Sequence, residues 1–266
     1  MKNKKNVFYF GNKKADGNGK MKEVLGGKGA GLAEMTEIGI NVPPGFTIST
    51  NVCGMFYQNK KQTPANITKE ISTNLVKLEK MTKKGFGDIK NPLLVSVRSG
   101  AMFSMPGMMD TILNLGLNDK TVAGLAKKTK NPRFAWDAYR RFIQMFSDVV
   151  LNVSKDLFEE KLEELKRKKK VKHDIELNEV ALKSLVQDYK KLVKSKTKKS
   201  FPQDPIDQLV KAINAVFLSW NNKRAIFYRK KYGISSDIGT GVTVQSMVFG
   251  NMGQDCGTGV GFTNFL

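Results

Sequence analysis

Histidine and cysteine are almost missing from this sequence. Its 266 residues include one histidine, His173, and two cysteines, Cys53 and Cys256, far apart and outside any CxxC pattern. That scarcity argues against a structural zinc site or a disulfide framework and fits a reducing, cytoplasmic setting. His173 lies in a polar connection, KKKVKHDIEL, where an exposed and idle side chain is expected. Long apolar runs are lacking too: none approaches the roughly 20 residues that span a bilayer, so no membrane segment is expected. The N-terminal MKNKKNVFYFGNKK carries bases but too short an apolar patch for a secretory signal. Acidic residues are few, 24 against 45 basic ones, for a formal charge of +21. Hydrophobic residues make up 40%, enough to bury a core and to argue against wholesale disorder.

A basic excess of this size suggests a nucleic-acid partner, but the kind of base argues otherwise. Only seven of the 45 are arginine. Many of the lysines sit in mixed stretches such as DLFEEKLEELKRKKK and LKSLVQDYKKLVKSKTKK, which read as solvated helix faces without stacking partners for bases. The arginines are therefore the informative cations, since a planar guanidinium grips carboxylate or phosphate bidentately and a lysine does not. Arg98 sits in VSVRSG, Arg133, Arg140 and Arg141 in NPRFAWDAYRRF, and Arg224 and Arg229 in NNKRAIFYRK. For Arg133, Arg140, Arg224 and Arg229 the plain expectation is an Asp or Glu partner.

The chain divides into three regions. Residues 1–117 mix short strands and helices: VFYF at 7–10 as a strand, then a helix opened by GGKGAG with Leu32, Met35 and Ile38 on one face and an end near Gly39. Pro43 and Pro44 forbid helix before a short strand. Residues 51–82 read as helical, and LLVSV at 93–97 as a buried strand that delivers Arg98 from its end. Residues 118–203 read as helical, with caps at Asn118 or Asp119 and at Asn131 before Pro132. There Phe134, Ala138, Phe142 and Phe146 recur every four residues as a core stripe. Residues 204–266 return to the first pattern: a helix over DQLVKAINAVFLSW, then GTGVTVQSMVFG as a strand, NMGQDCGTG as a turn and VGFTNF as a strand folding back in a hairpin.

Two segments could meet an anion. GGKGAG, residues 26–31, fits neither the P-loop nor the GxGxxG pattern. Its glycines nonetheless let backbone N–H groups approach an anion at a helix start, with Lys28 adding mobile charge; an ordinary tight turn is the alternative. Arg98, followed by Ser99 and Gly100, has a firm root and an open corner, and Gly107 leaves room for a ligand or another backbone. Met105, Met108 and Met109 suit either a flat ring or flexible core filling. Backbone groups at 245–248 could read a base edge.

Several segments together resemble the nucleotide-binding region of the pyruvate, phosphate dikinase family: VLGGKGAGLAEMTEIGINVPPGFTIST, PLLVSVRSGAMFSMPGMMDTILNLGLND, NPRFAWDAYRRFIQMFSDVVL, FLSWNNKRAIFYR and VQSMVFGNMGQDCGTGVGFT, in the family's order. The resemblance implies an α+β fold, an incomplete ATP-grasp-like domain with a helical subdomain inserted at 118–203. It implies that Lys28 and Arg98 grip ATP phosphates and that Arg141 holds the terminal phosphate. Gln245, Met247 and Val248 would line the adenine pocket, and Gly107 with Gly257, Thr258 and Gly259 would close over the nucleotide. The family moves the β-phosphoryl of ATP to a histidine on another domain and the γ-phosphate to inorganic phosphate. A further domain then makes phosphoenolpyruvate from pyruvate, and the full-length enzyme is expected to be a homodimer. Mg2+ is expected to accompany ATP, with its acidic ligands beyond the sequence in hand. In the family the last strand runs on into TRNP; here it reads TNFL, with Asn264 in place of the arginine. The expectation is therefore a truncated ATP-binding fragment with no catalytic residue of its own. A non-catalytic remnant, in one form a basic nucleic-acid-binding protein, is the alternative.

Overall fold

In a computed structural model that describes residues 5–261, six strands form one antiparallel sheet, and the covering of its two faces is unequal. The strands are β1 (Val7–Gly11), β2 (Lys14–Ala15), β3 (Gly45–Ile48), β4 (Val95–Gly100), β5 (Thr111–Leu115) and β6 (Gly241–Ser246), in the order β2-β1-β3-β6-β4-β5. Alternation along the strands sends Phe46, Ile48, Val95, Val97, Ile112, Val242 and Val244 into the main core. On that side lie α2 (Asn51–Gln58), α3 (Ala65–Thr82) and α8 (Pro205–Ser219). The other face carries Thr47, Ser96, Arg98, Thr111, Thr243 and Gln245, and a single helix, α1 (Lys22–Glu37), crosses it. A polar face with one helix on it leaves part of the sheet open.

The helix α1 does not bury the stripe of Leu32, Met35 and Ile38 that its hydropathy suggested; Met35 and Ile38 are exposed. The buried face is instead Leu25, Gly29, Ala30, Ala33 and Thr36. The reason is distance. A side chain at Gly29 would come within 2.8 Å of the Thr47 methyl, so small residues let this helix lie close on the strands. The helix is also broken at Gly26, whose φ of 69° and ψ of 170° are not helical. A Cβ there would fall 1.7 Å from the Gly100 carbonyl oxygen, which only glycine avoids.

Two other sequence expectations are corrected. Arg98 lies inside β4, not beyond its end, because the strand begins at Val95 and runs to Gly100. The strand β6 is central, paired on its two sides with β3 and β4, and no described residue after the glycine turn pairs with it as the expected hairpin would. Val260 and Gly261 are not in a strand, and the remainder of VGFTNF, with Asn264, lies outside the described residues.

The helical stretch builds as its pattern dictates. The helices are α4 (Thr121–Thr129), α5 (Pro132–Val149), α6 (Lys155–Lys169) and α7 (Glu179–Thr197). Asn131 caps α5 by accepting from the Phe134 N–H at 3.0 Å, with Pro132 at the first position. Phe134, Ala138, Phe142 and Phe146 are all buried in the same core that underlies the sheet. A buried ion-pair knot, Asp137–Arg140–Asp174, pins the segment after α6 to α5. His173 is exposed. The helix α9 (Lys223–Lys231) follows α8 after a connection of three residues, a tight corner.

Candidate functional site

The strand β4 ends at Gly100, and the loop 101–110 leads from it to β5. The Gly27 N–H donates to the Ala101 carbonyl at 2.9 Å, so the glycine break of α1 is fastened to the start of this loop. Between them opens a cleft of about 570 Å³, lined by Gly27, Lys28, Ser99, Gly100, Gly107 and Thr111 among others. Lys28 lines the cleft just after the break, where the helix restarts beyond Gly26.

Arg98 is the one exposed residue of β4, on the open face, one position from the cleft residue Ser99. Lys28 feels it: desolvation, and then repulsion from Arg98, lower the Lys28 pKa from the ordinary lysine value. Neither cation has a carboxylate within ion-pair distance among the described residues. The other arginines differ. Arg140 is bound by Asp137 and Asp174, Arg141 by Asp137 at 3.0 Å, and Arg224 by Asp110 at 3.3 Å. Arg133 donates to three carbonyls, those of Asp174, Ile175 and Leu177. Arg229 was expected to find an acid. It is instead buried against the carbonyl of Trp220 and the face of its ring, 4.1 Å from the centroid, where it satisfies the C-terminal end of α8. Only Arg167, exposed in a lysine tract, shares Arg98's lack of a partner among the described residues.

The remaining expected site residues fall in three places. Gly107, with φ of 72° and no atom within 4 Å of where a Cβ would stand, lines the cleft. Gln245, Met247 and Val248 lie along and beyond β6, whose other end meets the cleft through Gly241 opposite Gly100. From Thr243, level with Arg98, to Met247 is about 13 Å at the usual rise of ~3.3 Å per residue. The Gln245 amide donates to the Pro43 carbonyl and the Met247 N–H to that of Leu94, while Val248 is exposed with no backbone hydrogen bond among the described residues. Arg141 stands on α5, half exposed, away from the cleft lining. Gly257, Thr258 and Gly259 are exposed and fold back on Gly250, in a segment tied to α5 through the Met252 carbonyl and Asn131. The structure thus places Lys28 and Gly107 in the cleft lining, sets Arg98 beside it, opposite the lining residue Thr111 and near enough to perturb Lys28, and leaves Arg141 and the glycine turn outside. Met105 is buried in the core, with Met108 and Met109 packed beside it, and Met105 and Met109 also contribute to the cleft lining, so these side chains serve as core filling that forms part of the cleft wall.

Sequence reasoning passed over the α8–α9 corner. Asn222 donates to the Met108 carbonyl at 2.9 Å, Tyr228 to that of Ser104 at 3.4 Å, and Arg224 pairs with Asp110. Burial outweighs Arg224 and raises the Asp110 pKa, with Asp148 adding to it. The cleft lining offers one cation, Lys28, with the hydroxyls of Ser99, Ser104 and Thr111, backbone, and an apolar part that includes Met102, Phe103 and Met105; no group of three acids, cysteines or histidines that could hold a metal occurs among the described residues. That donor set suits an anion and does not fit a resident divalent cation.

The profile of the family described as "Pyruvate phosphate dikinase, AMP/ATP-binding domain" matches residues 22–84 and 59–264. Pyruvate, phosphate dikinase of Clostridium symbiosum is 53% identical over 249 residues, 93% of this chain and 28% of that protein. The chloroplastic enzyme of Flaveria trinervia is 52% identical over 260 residues, 98% of this chain and 27% of its own length. Pyruvate, phosphate dikinase of Entamoeba histolytica is 52% identical over 250 residues, again 93% of this chain and 28% of that protein. The chain therefore spans little more than a quarter of these relatives. With a mixed helical and antiparallel-sheet fold and these matches over nearly its whole length, the chain belongs to the pyruvate, phosphate dikinase AMP/ATP-binding domain family.

Proposed function

We propose that this chain binds ATP, with the polyphosphate in the cleft between Lys28 and Arg98, as the nucleotide module of a pyruvate, phosphate dikinase. The observation that carries the reading is the pair itself. Two cations, Lys28 just after a broken helix start and Arg98 on β4, lie near enough to repel and have no ion-paired acid among the described residues, beside an open cleft. Like charges held this way cost free energy until an anion arrives, which is a reason to expect one.

In this reading the fold is of the ATP-grasp type, with residues 1–117 and 204–266 forming the α/β part around the helical insert 118–203. The base lies along β6 towards Gln245, Met247 and Val248, a span that suits an extended nucleotide. Gly107 keeps the loop open to the phosphates. Arg141 reaches the terminal phosphate by turning from Asp137, and the 257–259 turn closes over the nucleotide by leaving α5. Mg2+ arrives with the ATP rather than on ligands of this cleft. Phosphate, pyruvate and phosphoenolpyruvate belong to the whole enzyme, as do dimerisation and a cytoplasmic location. No helix among the described residues is long and apolar enough to cross a membrane. Phosphoryl transfer asks mainly for positioning and charge stabilisation, so arginine, lysine and glycine suffice for this module's part.

Isothermal titration of the chain with Mg-ATP tests the reading. Saturable binding that is lost in a Lys28→Met, Arg98→Met double variant is the expected result; binding that survives both substitutions would refute it.

A further inference from the structure

The roof of the cleft is the loop 101–110, and little of it is held by its own backbone: its internal hydrogen bond runs from the Met108 N–H to the Met105 carbonyl. Its start is fastened to α1 through Gly27 and Met105 is buried in the core, while the polar contacts along its length come from the α8–α9 corner, more than a hundred residues away in sequence. Four contacts between nitrogen and oxygen atoms cross the gap, beside a longer one of 3.9 Å from the Ser219 hydroxyl to the Met109 sulfur. The Asn222 amide donates to the Met108 carbonyl at 2.9 Å, the Tyr228 hydroxyl to the Ser104 carbonyl at 3.4 Å, and Arg224 pairs with Asp110 at 3.3 Å. The Asp110 N–H donates to the Ser219 hydroxyl at 3.5 Å. The corner has its own lock, since the buried Arg229 joins the carbonyl of Trp220 to the side chain of Asn221.

We propose that the α8–α9 corner is a clasp that positions the phosphate-facing loop, and that Asn222 is its principal positioning residue. The inference rests on the ATP-binding reading for its functional consequence. Asn222 is the best placed of the four because its amide works in two directions. Its Oδ1 accepts from the Ala225 N–H at 2.7 Å and so caps α9, while its Nδ2 holds Met108. One planar group thus makes the start of α9 and the middle of the loop a single unit. The contact falls next to Gly107, the residue whose positive φ turns the loop over the cleft. Arg224 is more exposed, and its pair with Asp110 is correspondingly weaker.

Substitutions can separate the two duties of Asn222. Serine is also a good N-cap, so Asn222→Ser keeps an acceptor for α9 but has no donor that reaches Met108. Asn222→Ala loses both. The first readout is amide hydrogen exchange in peptides spanning 101–111, which needs no nucleotide. In Asn222→Ser the loop amides exchange roughly three- to tenfold faster, as expected for the loss of one partly buried neutral hydrogen bond. The α9 amides keep their wild-type protection; in Asn222→Ala both segments quicken. The second readout is Mg-ATP affinity, which falls by a similar factor in Asn222→Ser. Unchanged loop exchange in Asn222→Ser overturns the clasp whatever the nucleotide does. Faster loop exchange with undiminished ATP binding overturns its role in positioning the site. A wild-type chain that binds no ATP at all refutes the nucleotide reading, and the exchange data still decide whether the clasp exists.

Discussion

Removing Arg98 should move stability and binding in opposite directions. Arg98→Met retains the stem on β4 and deletes a guanidinium that has no acid partner among the described residues and repels Lys28. Because Arg98 is exposed, the relief in the free chain is small, about 0.2–0.5 kcal/mol of added stability, the size usual for like-charge neighbours at a surface. The loss on the nucleotide side is larger. A charge-assisted contact to phosphate contributes on the order of 1.5–3 kcal/mol, so the Kd for Mg-ATP rises roughly 10- to 150-fold. Urea unfolding of the free chain measures the first effect and isothermal titration the second. The Lys28 pKa, followed by NMR of its side chain, should also rise towards the ordinary lysine value once Arg98 is gone. A variant that is less stable when free and binds ATP as tightly as the wild type would show Arg98 to be a structural group, and the reasoning would fail.

Three further outcomes follow from the fold. Gly26→Ala places a Cβ against the Gly100 carbonyl at a backbone angle that alanine tolerates poorly, and denaturant unfolding should show a loss of about 2–4 kcal/mol. For Asp174, burial alone would raise the pKa, but Arg140 and Lys166 outweigh it and hold the carboxylate below its ordinary value near 3.8. Its stabilising contribution is therefore present above that value and lost as pH falls through the lower folded pKa. The stability gap between wild type and Asp174→Asn should be full at neutral pH and shrink under acid, as thermal melts across pH would show. Arg229→Met keeps an apolar stem over Trp220 but leaves a buried carbonyl unpaired, and it should cost about 1–3 kcal/mol in the same unfolding assay.

Much of this molecule could be read from its sequence where chemistry is local. The cap at Asn131–Pro132 and the aromatic stripe of α5 follow from spacing alone, and they stand as expected. The face of α1 did not, because hydropathy gives weight to Leu32, Met35 and Ile38 and almost none to Gly29, Ala30 and Ala33. What decided the packing there was how near the helix could come to Thr47, a matter of small volume. The place of β6 was hidden for another reason. A strand followed by a glycine turn suggests its nearest neighbour in sequence, yet β6 pairs with strands formed some two hundred and one hundred and fifty residues earlier. Lys28, Arg98 and Gly107 were legible as site candidates by residue type, since an arginine among lysines and a glycine in an apolar loop invite a reason. The α8–α9 corner gave no such sign: an asparagine at a helix start already has an ordinary task as a cap, and its second hydrogen bond appears only in three dimensions. Arg229 misled in the opposite sense, because a carbonyl at a helix end and an indole face replaced the expected acid.

The most direct measurement is a crystal structure of the chain with a non-hydrolysable ATP analogue. The account predicts phosphate oxygens within hydrogen-bonding distance of both the Lys28 amine and the Arg98 guanidinium, with the base lying towards Val248. Phosphates held by the lysines of α6 or α7, while the cleft beside Gly100 stays vacant, would contradict it.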